Sequence, residues 1–272
     1  MGKFDGILFV TDLDGTLLRE DKTISEENRA AIEYFETNGG RFTFITGRIP
    51  RGAAPILRQL TPKSPIGCIN GGGIYDPHAK EYLWKLPLSH DVLAMVEEID
   101  REMPGVGIEL NAFYCIHFCK KNSITESHRT VEGFDDITTP YREVNEPLAK
   151  ILFGVDPREI DELADRLSQH PLADRFELIR SSDEYYEILP KGATKGNLLL
   201  ELAGQLGIDP ARTVAIGDND NDISMLRAAA LGIAVANASE NTKAAADRIT
   251  VSNEQHAIAA VIDHLDRGEW WV

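Results

Sequence analysis

GILFVTDLDGTL, residues Gly6 to Leu17, is the stretch whose reading decides the fold. Gly6 to Thr11 is an uninterrupted apolar run bounded by polar residues, which suits a strand covered on both faces in a parallel sheet. The polar cluster Asp12-Leu13-Asp14-Gly15-Thr16 follows at once. Alternation along an extended chain sets Asp12 and Asp14 on one side and turns Leu13 away. Gly15 lets the backbone leave the strand sharply. Two carboxylates this close repel unless one is protonated or a cation lies between them. The same pair also fits a strand ending in an Asx-turn, so it does not select catalysis unaided.

Outward from this strand the pattern alternates. Ser25 to Asn38 predicts a helix, with acids in its first turn and Gly39-Gly40 as its stop. Arg41–Ile45 and Ile66–Ile69 predict strands, joined by an irregular helical stretch containing Pro55. More than a hundred residues later the grammar returns, with strands expected at Thr213–Gly217, Gly232–Ala236 and Arg248–Val251. Strand and helix alternation of this kind implies a parallel sheet with helices on both faces.

The middle of the chain reads differently. Ile108 to Cys119 alternates with period two, which sets Ile108, Leu110, Tyr114, Ile116 and Phe118 on one face. Asp156, Pro157 and Glu159 spell a capping box opening a helix whose stripe is Ile160, Leu163, Ala164 and Leu167. A half-covered antiparallel sheet with helices on one side follows. The expected fold class is therefore α/β, a Rossmann-like parallel-sheet core with an inserted α+β unit. Residues 1–82 and 189–272 would form the core and 83–188 the insertion.

Composition narrows the function. A length of 272 residues with 43% hydrophobic content is comfortable for two cores. The net charge of −16 argues against sequence-independent nucleic-acid binding and docking on anionic lipid. The start, MGKFDGILFV, lacks the features of a secretory signal, and no apolar run approaches a membrane span. Cys68, Cys115 and Cys119 make no disulfide framework and fit a reducing cytoplasm. A phosphorylated substrate would require local positive charge, because the protein as a whole repels anions.

Three further clusters lie after expected strands or at a helix start, where open parallel sheets bind ligands. Thr46-Gly47-Arg48 offers a hydroxyl, a flexible backbone and a cation. Lys195, in Lys191-Gly192-Ala193-Thr194-Lys195-Gly196, opens a helix whose dipole favours anions, so a lysine there points to an anion site. Gly217-Asp218-Asn219-Asp220-Asn221-Asp222 concentrates carboxylates. A calcium loop fails, since Ile223 stands where glycine is needed and Ala229 where a bidentate glutamate is needed. Hard oxygen ligands beside a phosphate site fit Mg2+.

Taken in order, these clusters resemble the four motifs of the haloacid-dehalogenase superfamily of phosphohydrolases. Asp12-Leu13-Asp14-Gly15-Thr16-Leu17 is similar to the first, Thr46 to the second, Lys195 to the third, and Gly217-Asp218 with Asn221-Asp222 to the fourth. The layout, with Ile69-Asn70-Gly71-Gly72 and Ala234-Val235-Ala236-Asn237-Ala238, looks like the Cof-type sugar-phosphatase branch. His256 departs from the pattern, as relatives more often carry glycine there.

The resemblance implies a phosphatase acting on a small phosphorylated metabolite, with Asp12 as nucleophile and Asp14 as acid and base. Thr46, Gly47, Lys195 and Asn221 would hold the phosphate. Asp12, the backbone carbonyl of Asp14, and Asp218 would hold Mg2+, with Asp222 fixing the site from behind. The insertion would set specificity, with Arg48 and Asn70 as candidate substrate contacts. A phosphotransferase or mutase would use the same aspartate, and a phosphosugar-binding regulator is the non-enzymatic alternative. The motifs carry no signal about oligomeric state.

Cys115, His117 and Cys119 look like a zinc trio on one strand face. Spacing at i, i+2 separates them by about 6.6 Å per step, and one zinc needs its ligand atoms within about 4 Å. A straight strand therefore does not supply all three.

Overall fold

A computed structural model describes residues 2–269. In chain order its strands are β1 (Leu8–Thr11), β2 (Arg41–Phe44), β3 (Ile66–Cys68), β4 (Gly73–Asp76) and β5 (Glu81–Lys85). β6 (Gly107–Ala112), β7 (Ile116–Lys120), β8 (Leu148–Gly154), β9 (Phe176–Arg180) and β10 (Tyr185–Pro190) follow. The last are β11 (Thr213–Gly217), β12 (Leu231–Ala234) and β13 (Arg248–Ile249). The chain divides into two compact units: 1–47, 54–84 and 194–272 form the first, and 48–53 and 85–193 form the second.

The first unit is built on a five-stranded sheet of order β13-β12-β11-β1-β2, parallel at every pairing. Every residue of β1 is buried, as its unbroken apolar run requires. The chain steps from β1 to β2 on one side and later enters at β11 on the other. The gap between the carboxyl ends of β1 and β11 is therefore a switch point, where open α/β sheets bind ligands. Leu198, Leu199 and Leu202 of the helix Lys195–Gln205 pack with Leu8, Val10 and Ala215 in the core. β3 does not extend this sheet as expected. It joins β4 and β5 in a separate three-stranded sheet and touches the parallel one through an Ile45–Gly67 bridge.

The second unit carries the sheet β7-β6-β8-β10-β9, antiparallel throughout. Ile108, Leu110, Ile151, Phe153 and Ile188 cluster with Val96 and Ile99 of the helix Leu93–Glu102 and Leu163 and Leu167 of the helix Ile160–Gln169. The unit runs to Ala193 instead of residue 188, since β10 continues to Pro190 and pairs there with Phe176. Residues 48–53 group with it because Arg48 pairs with Glu132 and Arg51 with Asp135.

Two local expectations change. Ile108 to Cys119 is a hairpin, and its turn resets the alternation: Leu110 pairs with His117, and Glu109 with Phe118. Leu110 and Phe118 therefore lie on opposite faces. The capping box at Asp156 does not form either. The helix starts at Ile160, and Asp156 Oδ1 accepts from the Arg158 backbone N–H at 3.0 Å and from its guanidinium at 2.9 Å. A local bidentate arginine thus replaces the glutamate partner. Among the described residues no helix is long and apolar enough to cross a membrane.

Candidate active site

β1 delivers Asp12 to the switch point, and the Asp12 backbone N–H donates to Ile216 O of β11 at 2.9 Å. Parallel pairing of Thr11 with Ile216 sets the ends of β1 and β11 level, so the Asp12 and Asp218 side chains meet. Gly15 is needed for a steric reason. Its φ is +81°, and a Cβ there would stand 2.5 Å from Asp218 Oδ2.

Lys195 enters from the first turn of the helix Lys195–Gln205. Thr194 caps its helix by accepting from the Asn197 N–H at 3.2 Å. Lys195, only 1% exposed, places Nζ 2.6 Å from Asp12 Oδ1 and 2.5 Å from Asp222 Oδ1. Asp222 Oδ2 accepts from the backbone N–H groups of Asp218 and Asn219 at 3.0 and 3.1 Å. Asp222 Oδ1 thus holds Lys195, while Oδ2 shapes the loop. Asp218 Oδ1 accepts from the Thr16 hydroxyl at 2.7 Å.

The carboxylates of Asp12, Asp218 and Asp222 each bring an oxygen within 4.8 Å of the others. One ammonium does not neutralise three carboxylates, two of them buried and the third half-buried. Burial, aided by Asp222 and Asp218 and opposed by Lys195, pushes Asp12 well above the usual carboxylate range. Burial and the Asp222 charge push Asp218 up to about 7. Burial would lower Lys195, but Asp12 and Asp222 outweigh it and raise the ammonium above its ordinary value. The cluster therefore favours a cation, and its donors are hard oxygens, which fit Mg2+.

Asn70 is built into the same wall. Ile69 and Asn70 both have positive φ, 59° and 48°, which is costly for a β-branched residue. The turn presses Asn70 against Gly47, where an added Cβ would meet Asn70 Nδ2 at 2.9 Å. Asn221 Nδ2 donates to Asn70 Oδ1 at 3.2 Å, and the Asn70 N–H donates to Thr46 O at 3.0 Å. Thr46, Gly47, Asn70 and Asn221 are thereby one connected edge.

Asp14 and Arg48 stand differently. The Asp14 side chain is 40% exposed, with Lys22 Nζ 2.8 Å from Oδ1. Arg48 is engaged by Glu132 in the second unit and donates to Gly52 O at 3.3 Å, so its charge is already matched. Asn237, part of the Ala234–Ala238 phrase, carries no expected role. Its Nδ2 donates to Gly15 O at 2.8 Å and its Oδ1 accepts from the Asn253 N–H at 3.0 Å, which ties down the loop after β1. Its signal is the polar residue directly after the expected strand Gly232–Ala236.

A family model described as haloacid dehalogenase-like hydrolase matches residues 9–262. The chain belongs to this family. It is 29% identical to the phosphatase YwpJ of Bacillus subtilis, over 95% of this chain and 99% of that one. The 5-amino-6-(5-phospho-D-ribitylamino)uracil phosphatase YitU of the same organism is 27% identical over 93% and 94% of the two chains. A crystal structure of a haloacid dehalogenase-like hydrolase from Bacteroides thetaiotaomicron superposes with a TM-score of 0.82 at 28% identity, covering 95% and 99%. The chain is a phosphatase of this superfamily. His256, the departure from the family's pattern, has φ of +61°, a conformation that glycine adopts without strain.

Proposed function

We propose that this phosphatase hydrolyses small phosphorylated metabolites, sugar and polyol phosphates foremost, with Mg2+ and through an aspartyl-phosphate on Asp12. The observation that carries the reading is the buried Lys195 ammonium held between Asp12 and Asp222 at the switch point. It orients one Asp12 oxygen and leaves the other for in-line attack on phosphorus. Asp14 gives its proton to the leaving alkoxide and then takes one from the water that hydrolyses the acyl phosphate. Lys195, Thr46, Gly47 and Asn221 hold the nonbridging oxygens. Asp12, the Asp14 carbonyl and Asp218 would hold Mg2+, which when bound would supply charge neutralisation for the transferring group. Asp222 keeps Lys195 and the loop after β11 in place. The polyol preference draws on the phosphoribityl group in the name of one relative.

The experiment is phosphate release from a panel of phosphorylated sugars, polyols and nucleotides, with and without Mg2+. Wild-type turnover should depend on the ion. Asp12→Asn should abolish turnover while its melting temperature stays near wild type; turnover by that variant would overturn the nucleophile. Transfer of phosphate to an added acceptor, with none released, would make the chain a transferase.

A further inference from the structure

The second unit holds a cluster that phosphate chemistry does not use. Cys115 lies in the turn between β6 and β7, His117 on the edge strand β7, and Glu146 in the segment before β8. Cys115 Sγ is 3.7 Å from His117 Nε2 and 3.1 Å from Glu146 Oε2. His117 Nε2 is 3.7 Å from Glu146 Oε1. The turn removes the objection that strand spacing raises, since Cys115 is outside the straight part of β7 and its thiol folds back over His117. Cys119 is excluded: it packs against the hydrophobic core of the unit.

We propose that Cys115, His117 and Glu146 form a second cation site, one for a zinc-class divalent ion. A tetrahedral zinc with bonds of about 2.0–2.3 Å sets its ligand atoms about 3.3–3.6 Å apart. The Sγ–Nε2 distance of 3.7 Å is close to that. The Glu146 carboxylate turns one oxygen to each partner, Oε2 to the sulfur and Oε1 to the imidazole, with one ligand atom from each of the three residues within 4.8 Å of the others. Thiolate, imidazole and carboxylate are also the donors that borderline-soft ions select, whereas Mg2+ avoids sulfur. The far side of the imidazole is held too, with His117 Nδ1 3.1 Å from the Thr139 hydroxyl. A proton on Nδ1 leaves the Nε2 lone pair facing the thiol, the arrangement usual behind a metal-bound histidine. Binding displaces the Cys115 thiol proton to solvent and forms the metal–sulfur bond. Arg51, a cation near Cys115, is itself paired with Asp135. The Glu146 side chain is 54% exposed, so the ion can enter from solvent and keep a fourth position for water.

The consequence is mechanical. The segment 137–146 already meets β7 where the Phe118 N–H donates to Ile137 O at 2.8 Å. An ion on His117 and Glu146 clips the same segment to the sheet edge a second time.

The test uses the chelator-stripped full chain carrying Asp218→Asn, so that ions at the aspartate cluster do not count. Co2+ titration should show a near-ultraviolet thiolate-to-cobalt absorption saturating at one equivalent, removed by Zn2+ and insensitive to Mg2+. Cys115→Ser should lose the band and Cys119→Ser should keep it. Thr139→Ala should weaken Co2+ binding by about 10–100-fold. Glu146→Gln, at an exposed position, should weaken it as well and covers the case of a misfolded serine variant. Absence of the band in the parent, or its survival in Cys115→Ser, means a hydrogen-bonded thiol only and overturns the site. The readout is spectroscopic, so neither result bears on the Asp12 reading.

Discussion

Lys195 Nζ lies 2.6 Å from Asp12 Oδ1, and both groups are buried. The lysine is the cation that keeps an otherwise overcharged aspartate cluster assembled. Lys195→Met should therefore leave Asp12 and Asp222 buried and unmatched. Truncating one member of a buried pair costs about 3–5 kcal/mol, which urea denaturation of the metal-free protein would measure. Turnover should fall with it. Lys195→Arg should not rescue, because a planar guanidinium does not fit the space of a compact ammonium.

Asp14→Asn should lower turnover by about 10²–10⁴, the typical contribution of a positioned acid–base. The fold should be unaffected, since Asp14 is partly exposed and its partner Lys22 is on the surface. Steady-state kinetics beside a thermal melt separates the two effects. Unchanged turnover would remove Asp14 from the chemistry.

The pH dependence of the metal-free protein follows from Asp218. Burial raises its carboxyl from 3.8 to about 7 in the folded state. Between those values the folded protein holds a proton that the unfolded chain has lost. Stability contributed by this group is full below about pH 4 and falls as pH rises through 7. Asp12, raised for the same reason, acts in the same direction. Mg2+ prefers the ionised carboxylates, so the rise in melting temperature on adding it should be larger at pH 8 than at pH 5. An equal rise at both would contradict a carboxylate-held ion.

His256→Gly should stabilise the protein by about 1 kcal/mol, because an L-residue pays roughly that much in the left-handed region. The lost contacts, Arg19 at 3.5 Å and Glu27 at 3.5 Å, are long and partly exposed. Thermal or urea denaturation measures the difference.

Much of this was legible in the residues. Local patterns announce the buried strand before Asp12, the helix that Lys195 opens and the apolar run before Asp218, because burial on both faces and a helical stripe each write themselves into a few neighbouring residues. That determines a parallel core and the order in which its polar clusters arrive. Which groups then touch is a different question. Lys195 and Asp12 are 183 residues apart, and they meet only because β1 and β11 pair in parallel register and the Lys195 helix packs across them. Arg48 read as a substrate contact and is matched by Glu132, 84 residues on. The cluster at Cys115 was hidden for the same reason. Alternation spaces residues along a straight strand, but a turn at Cys115 and a loop bringing Glu146 are decided by tertiary packing, where long-range pairing overrides the local period.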